Sequence, residues 1–186
     1  MFNDSKTAKV FYCFTFFIFL LCSEIVNSQN TFKRDNVTHP IGVLAQNISN
    51  RIPKIETPQP DWQKIAQEDK GEIGNLRYAV PSNSDYSTLN AGAWQIAPDG
   101  KNVWQVALTS SNAVGLALTL ESVNLKEGES IFVYDPSMEN LLGSFTQKDL
   151  TASRKLFIGF IKGGEVVIEF STSEKINTET SPFIIS

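Results

Sequence analysis

From residue 76 to the C-terminus, apolar residues recur with a period of two in short runs separated by Gly, Pro, Asp and Asn. Successive side chains of a strand point to opposite faces, so this period predicts half-buried strands and argues against a helical bundle. The runs are 76–80, 92–97, 102–109, 113–121, 130–135, 141–145, 156–161, 165–171 and 182–185. Pro98-Asp99-Gly100-Lys101 is a turn sequence, Pro setting one dihedral and Gly accepting a positive one, and it predicts a hairpin that contains Trp94 and Trp104. Glu127-Gly128 and Lys162-Gly163-Gly164 punctuate in the same way.

Trp104, Val106 and Leu108 read as one face, and so do Val114, Leu116, Leu118 and Leu120. Opposite the second set lie Ala113, Gly115, Ala117 and Thr119, small residues suited to another layer or to a shallow outer surface. Val166, Ile168 and Phe170 alternate with Glu165 and Glu169, the pattern of a half-solvated antiparallel sheet. The expected fold is all-β, an antiparallel two-layer β-sandwich of Greek-key or jelly-roll type over residues 61–186.

The preceding segments differ. Residues 29–60 carry Pro40, Pro53, Pro58 and Pro60 without a sustained apolar period, and read as an extended, flexible arm or linker in which His39 is solvated. Asn36-Val37-Thr38 and Asn47-Ile48-Ser49 match the glycosylation triplet. Asp61 is placed to cap a short helix to about Asp69, ended by Gly71 and Gly74. At the N-terminus, Lys6 and Lys9 precede the apolar run 10–22, which falls short of the roughly 20 residues that span a bilayer. With Val26-Asn27-Ser28 behind it, residues 1–28 read as a signal peptide cut near Ser28/Gln29, and the protein as secreted or periplasmic. A lipoprotein reading of Cys22 lacks a small residue in Phe19-Leu20-Leu21. Cys13 and Cys22 both lie in the signal, so the exported chain is expected to hold no disulfide.

The net charge is -4, with no block of Lys or Arg, which excludes sequence-independent nucleic-acid binding. Signal cleavage removes two charges of each sign, so the exported chain keeps that charge and is not drawn to a membrane. His39 is the sole histidine, leaving neither a Cys/His zinc set nor a base for a nucleophile, and there is no G-x-S-x-G elbow or phosphate loop. No catalytic, cofactor-binding or metal residue is therefore assigned, and the chain is expected not to be an enzyme. Asp135-Pro136-Ser137-Met138-Glu139-Asn140 has oxygens that could surround calcium, but it departs from EF-hand spacing and reads as a solvated turn. Trp94, Tyr78 and Tyr134 are the candidate ligand or partner contacts, since aromatic faces stack on sugar rings; core packing competes for Trp94 and Trp104.

A string of features recurs in order from Trp62 onward: Glu68-Asp69, Leu76-Arg77-Tyr78-Ala79, Gly92-Ala93-Trp94, Asp99-Gly100 and Val103-Trp104-Gln105-Val106. Ser110-Ser111-Asn112-Ala113 follows, then Leu125-Lys126-Glu127-Gly128-Glu129, Ile131-Phe132-Val133-Tyr134, Leu142-Gly143-Ser144-Phe145 and Gly164-Glu165-Val166-Val167-Ile168-Glu169. In this order they resemble the N-terminal pro-region of secreted lysyl endopeptidase-like, trypsin-type serine proteases, in which Arg commonly stands at the position of Gln105. In that family the catalytic triad lies downstream of the pro-region, and this chain stops at Ile184-Ile185-Ser186, about where the protease would begin. The resemblance implies a non-catalytic module that acts on a trypsin-type protease as folding aid or inhibitor, or a truncated remnant. The alternative is a stand-alone carbohydrate-binding or adhesion module, with a glycan as its partner.

Overall fold

The computed structural model describes residues 39–44, 52–71, 77–82 and 84–186. The expected signal peptide and its cleavage point, both glycosylation triplets in whole or part, Gly74 and Leu76 lie outside these residues. Among the described residues, two α-helices, α1 (Ile41–Leu44) and α2 (Trp62–Gly71), and a 3-10 turn over Gln147–Asp149 accompany ten strands. These are β1 (Lys54–Glu56), β2 (Tyr86–Ser87), β3 (Ala93–Ile96), β4 (Asn102–Thr109), β5 (Gly115–Glu121), β6 (Ser130–Tyr134), β7 (Leu141–Phe145), β8 (Leu156–Lys162), β9 (Glu165–Thr172) and β10 (Ile184–Ile185). The larger sheet runs β1-β4-β9-β6-β7, with β3 also on β4, and the smaller runs β2-β10-β5-β8.

The local chemistry explains several elements. Asp61 Oδ1 accepts the backbone N–H groups of Gln63 and Lys64 at 3.1 and 3.0 Å, capping α2 as its sequence predicts. The β3–β4 hairpin pairs Trp94 with Trp104, and its turn is closed by the Gly100 N–H on the Ala97 carbonyl at 2.9 Å, with Gly100 at φ +84°. Residues 77–80, expected as a strand, have no regular structure.

Between the sheets, Trp104, Val106 and Leu108 of β4 and Val166, Ile168 and Phe170 of β9 meet Leu118 and Leu120 of β5, Ile158 and Ile161 of β8, and Phe183. Trp94, Phe170, Phe183 and Trp104 form a chain of edge-on ring contacts with centroids 5.7–5.9 Å apart. Val114, expected on this inner face, is 80% exposed because the strand begins only at Gly115.

The other face of the larger sheet departs from expectation. Glu169 is 1% exposed, and Gln105, Ala107, Phe132, Tyr134 and Val167 on the same face are buried with it. This face is not solvated because the proline-containing arm covers it. Gly42 of α1 donates its N–H to Glu169 just after the buried Pro40, and Ile52 packs on the cluster of Ala107, Phe132, Tyr134 and Val167. The arm also supplies β1, paired parallel to Ala107, Leu108 and Thr109. His39 is exposed, as expected.

Candidate functional site

Three places bring together residues able to do something beyond packing. The first is the cluster beneath α1. Glu169 Oε2 accepts from Gln105 Nε2 at 2.9 Å and from the Tyr134 hydroxyl at 3.1 Å, and Oε1 accepts the Gly42 N–H at 3.1 Å. Burial raises the Glu169 carboxyl above its ordinary value, opposed by donors from Gly42, Tyr134, Gln105 and Ile41. Burial, then the charge of Glu169, push the Tyr134 phenol well up, so it stays protonated and donating. A Cβ at Gly42 would overlap Gln105 and lie 2.6 Å from Glu169 Oε2, so glycine is what lets the backbone reach the carboxylate. Every member is inward and sealed. The cluster fastens the arm to the sheet.

The second place is a cleft of about 110 Å³ beside Trp94, Phe170, Thr172, Glu129 and Ser181. Trp94 lines it, half-buried, with its ring plane close to perpendicular to that of Phe170. The polar groups around it bond one another: Thr172 to Glu129 at 2.9 Å, Glu129 to the Lys126 N–H at 2.7 Å, Asn177 to Thr180 at 2.6 Å, Thr88 to Ser181 at 3.0 Å. Of the other sequence candidates, Tyr78 is 85% exposed and Tyr134 is 3% exposed inside the Glu169 cluster. Neither lines the cleft, so the three candidate contacts are not brought together, and the Tyr134 hydroxyl is engaged with Glu169 and Gln105 beneath the arm. Period-two reading could not place it, since both faces of β6 are buried.

The third place is the outer face of the smaller sheet, where Gly115, Ala117 and Thr119 of β5 do form a shallow surface. Phe157 stands opposite Thr119 and is 70% exposed; Phe160 is 53% exposed and its ring lies on Gly115, where a Cβ would overlap it. The β5–β8 register shifts between Leu116 and Leu118, so Gly159 and Phe160 together oppose Ala117. Ile184 of β10 continues the apolar surface on the far side of β5. Lys155 pairs with Glu121 at 2.6 Å, and Arg154 and Lys162 are exposed at the two ends of β8. Sequence reasoning missed these phenylalanines. The signal was Leu156-Phe157-Ile158-Gly159-Phe160-Ile161, a run too apolar for strict alternation, which must leave some large side chain outside.

The Asp135 turn is closed by its own donors. Ser137 Oγ, Asn140 N–H and Asn140 Nδ2 reach its carboxylate at 2.6, 2.7 and 2.6 Å. Burial pushes this carboxyl up, but the hydrogen bonds from Ser137 and Asn140 outweigh it and hold the pKa down at about 2. A carboxyl lowered in the folded state stabilises above its unfolded value of about 4, and that contribution disappears as pH falls toward about 2. Asp135→Asn is therefore expected to flatten the loss of stability between pH 4 and 2 by on the order of 1–2 kcal/mol in urea unfolding. An unchanged acid limb would refute the assignment.

No protein-family model matches this chain, and no solved structure matches it.

Proposed function

We propose that the protein is a non-catalytic, exported β-sandwich of the kind found as the pro-region of secreted trypsin-type serine endopeptidases. It acts on such a protease as folding aid or inhibitor, and the outer face of its smaller sheet meets the enzyme. The observation that carries this is the pair Phe157 and Phe160, two exposed aromatic rings close together on one strand over small residues of β5. Desolvating rings of this size is costly for a monomer to forgo and is a common source of binding energy when a partner covers them. The clustered ionisable groups elsewhere support the non-catalytic reading: Glu169 and Asp135 are each engaged with neighbours in structural roles.

The glycan reading has less behind it, because most of the polar side chains in the cleft beside Trp94 already bond one another. The test is refolding and inhibition of a co-secreted trypsin-type protease by the exported protein. Wild type is expected to raise the refolding yield or slow the enzyme, and Phe157→Asp/Phe160→Asp to weaken the effect at least about tenfold while remaining folded. No effect of wild type on either readout would end the proposal.

A further inference from the structure

We infer that the notch between Phe157 and Phe160 is a docking slot for one large apolar side chain, presented by a partner segment that carries acidic residues on either side of it. This deepens the reading above by stating how a partner is recognised on that face.

The slot follows from the bulge. Phe157 opposes Thr119, whereas Gly159 and Phe160 share the single partner Ala117. The two rings therefore stand apart along β8, with Ala117 and Gly159 between them. Both intervening residues are nearly without side chains, and a Cβ built on Gly159 meets nothing within 4 Å. Phe160 cannot fold down to close the gap, because its ring already rests on Gly115. Two aromatic walls and a bare floor suit a single phenyl, indole or branched aliphatic group.

Charge selects the occupant. Arg154 and Lys155 stand at one end of β8 and Lys162 at the other. Glu121 is paired with Lys155, which leaves Arg154 to set the charge at that end. At about 3.3 Å per residue, each end lies about 10 Å from the slot. An extended segment anchored in the slot thus meets positive charge about three residues to each side. A second copy apposing the same face would bring Arg154 and Lys162 against their own equivalents. The partner approaches the face rather than the strand edge, because a bulge and a terminal lysine are devices that blunt edge pairing.

The experiment is an NMR titration of the isotopically labelled protein with the peptide acetyl-Glu-Ser-Gly-Phe-Gly-Ser-Glu-amide. Expected are saturable shifts confined to β5 and β8, at least about tenfold weaker binding when the peptide's Phe is Ser, and several-fold weaker binding when its Glu residues are Lys. The charge difference should shrink in 1 M salt, where the Debye length falls to about 3 Å. Ala117→Leu fills the slot from an exposed position and is expected to abolish the shifts with the fold intact by thermal unfolding. Four outcomes would each overturn the inference: no shifts at millimolar peptide, equal binding of the Lys peptide, an unaffected Ala117→Leu variant, or concentration-dependent self-association through β8. No protease is present, so failure here leaves the protease reading to stand or fall by its own test.

Discussion

Trp104→Ala is expected to cost about 3–5 kcal/mol, a large part of the roughly 5–15 kcal/mol that holds a domain of this size folded. Trp104 is fully buried on β4 between the sheets, and its ring meets that of Phe183 at 5.7 Å. Its indole N–H also donates to the Ala91 carbonyl at 2.8 Å, which fixes the chain just before β3. Truncation therefore leaves a cavity between the sheets and an orphaned carbonyl at once. Surroundings cannot collapse easily, because Gly92 lies against the same indole at φ +68°. Urea unfolding should show a midpoint shifted sharply downward, whereas Val114→Ala, at an exposed site, should stay within about 0.5 kcal/mol of wild type. A Trp104→Ala loss below about 1 kcal/mol would contradict this packing.

Glu169→Leu is expected to destabilise by about 3 kcal/mol, because Gln105, Tyr134 and the Gly42 N–H together lose their acceptor inside the protein. Part of that loss is offset, since the variant no longer buries a charge. Glu169→Gln separates the two contributions by keeping the shape and one acceptor oxygen while removing the charge, and should cost less. The pH dependence has a definite sign. A carboxyl raised in the folded state stabilises most at low pH, and stability falls as pH rises through its folded value. Wild type should thus gain on the Gln variant as pH is lowered toward the ordinary carboxyl value of about 4, against the trend set by Asp135 nearer pH 2. Parallel stability profiles for the two proteins would remove Glu169 as the titrating group. A Leu variant as stable as wild type would mean that α1 does not depend on this carboxylate.

The β4 and β9 runs were legible almost to the residue, since each alternates or is largely apolar and is bounded by turn chemistry that works locally. The short pairings were not. β1, β2 and α1 have three, two and four residues, and lengths like these carry no period to detect; they exist because a longer neighbour supplies the ladder or the contact. The small-residue face of β5 was visible in the sequence as Gly115, Ala117 and Thr119. Its rings were not, because a one-residue bulge in β8 decides which way Phe160 points.

The sequence by itself therefore determined the sandwich: period two, Pro-Asp-Gly and Gly-Gly turns, and enough apolar residues for a core specify antiparallel strands through local physics alone. Only the tertiary structure decided that Glu169 is buried rather than solvated. A segment 127 residues earlier in the chain folds back over it and brings a backbone N–H to its carboxylate, and contacts between residues that distant leave no trace in local pattern. In the same way it decided the candidate site, because which apolar side chains remain outside is fixed by how two strands are registered, not by either strand's composition.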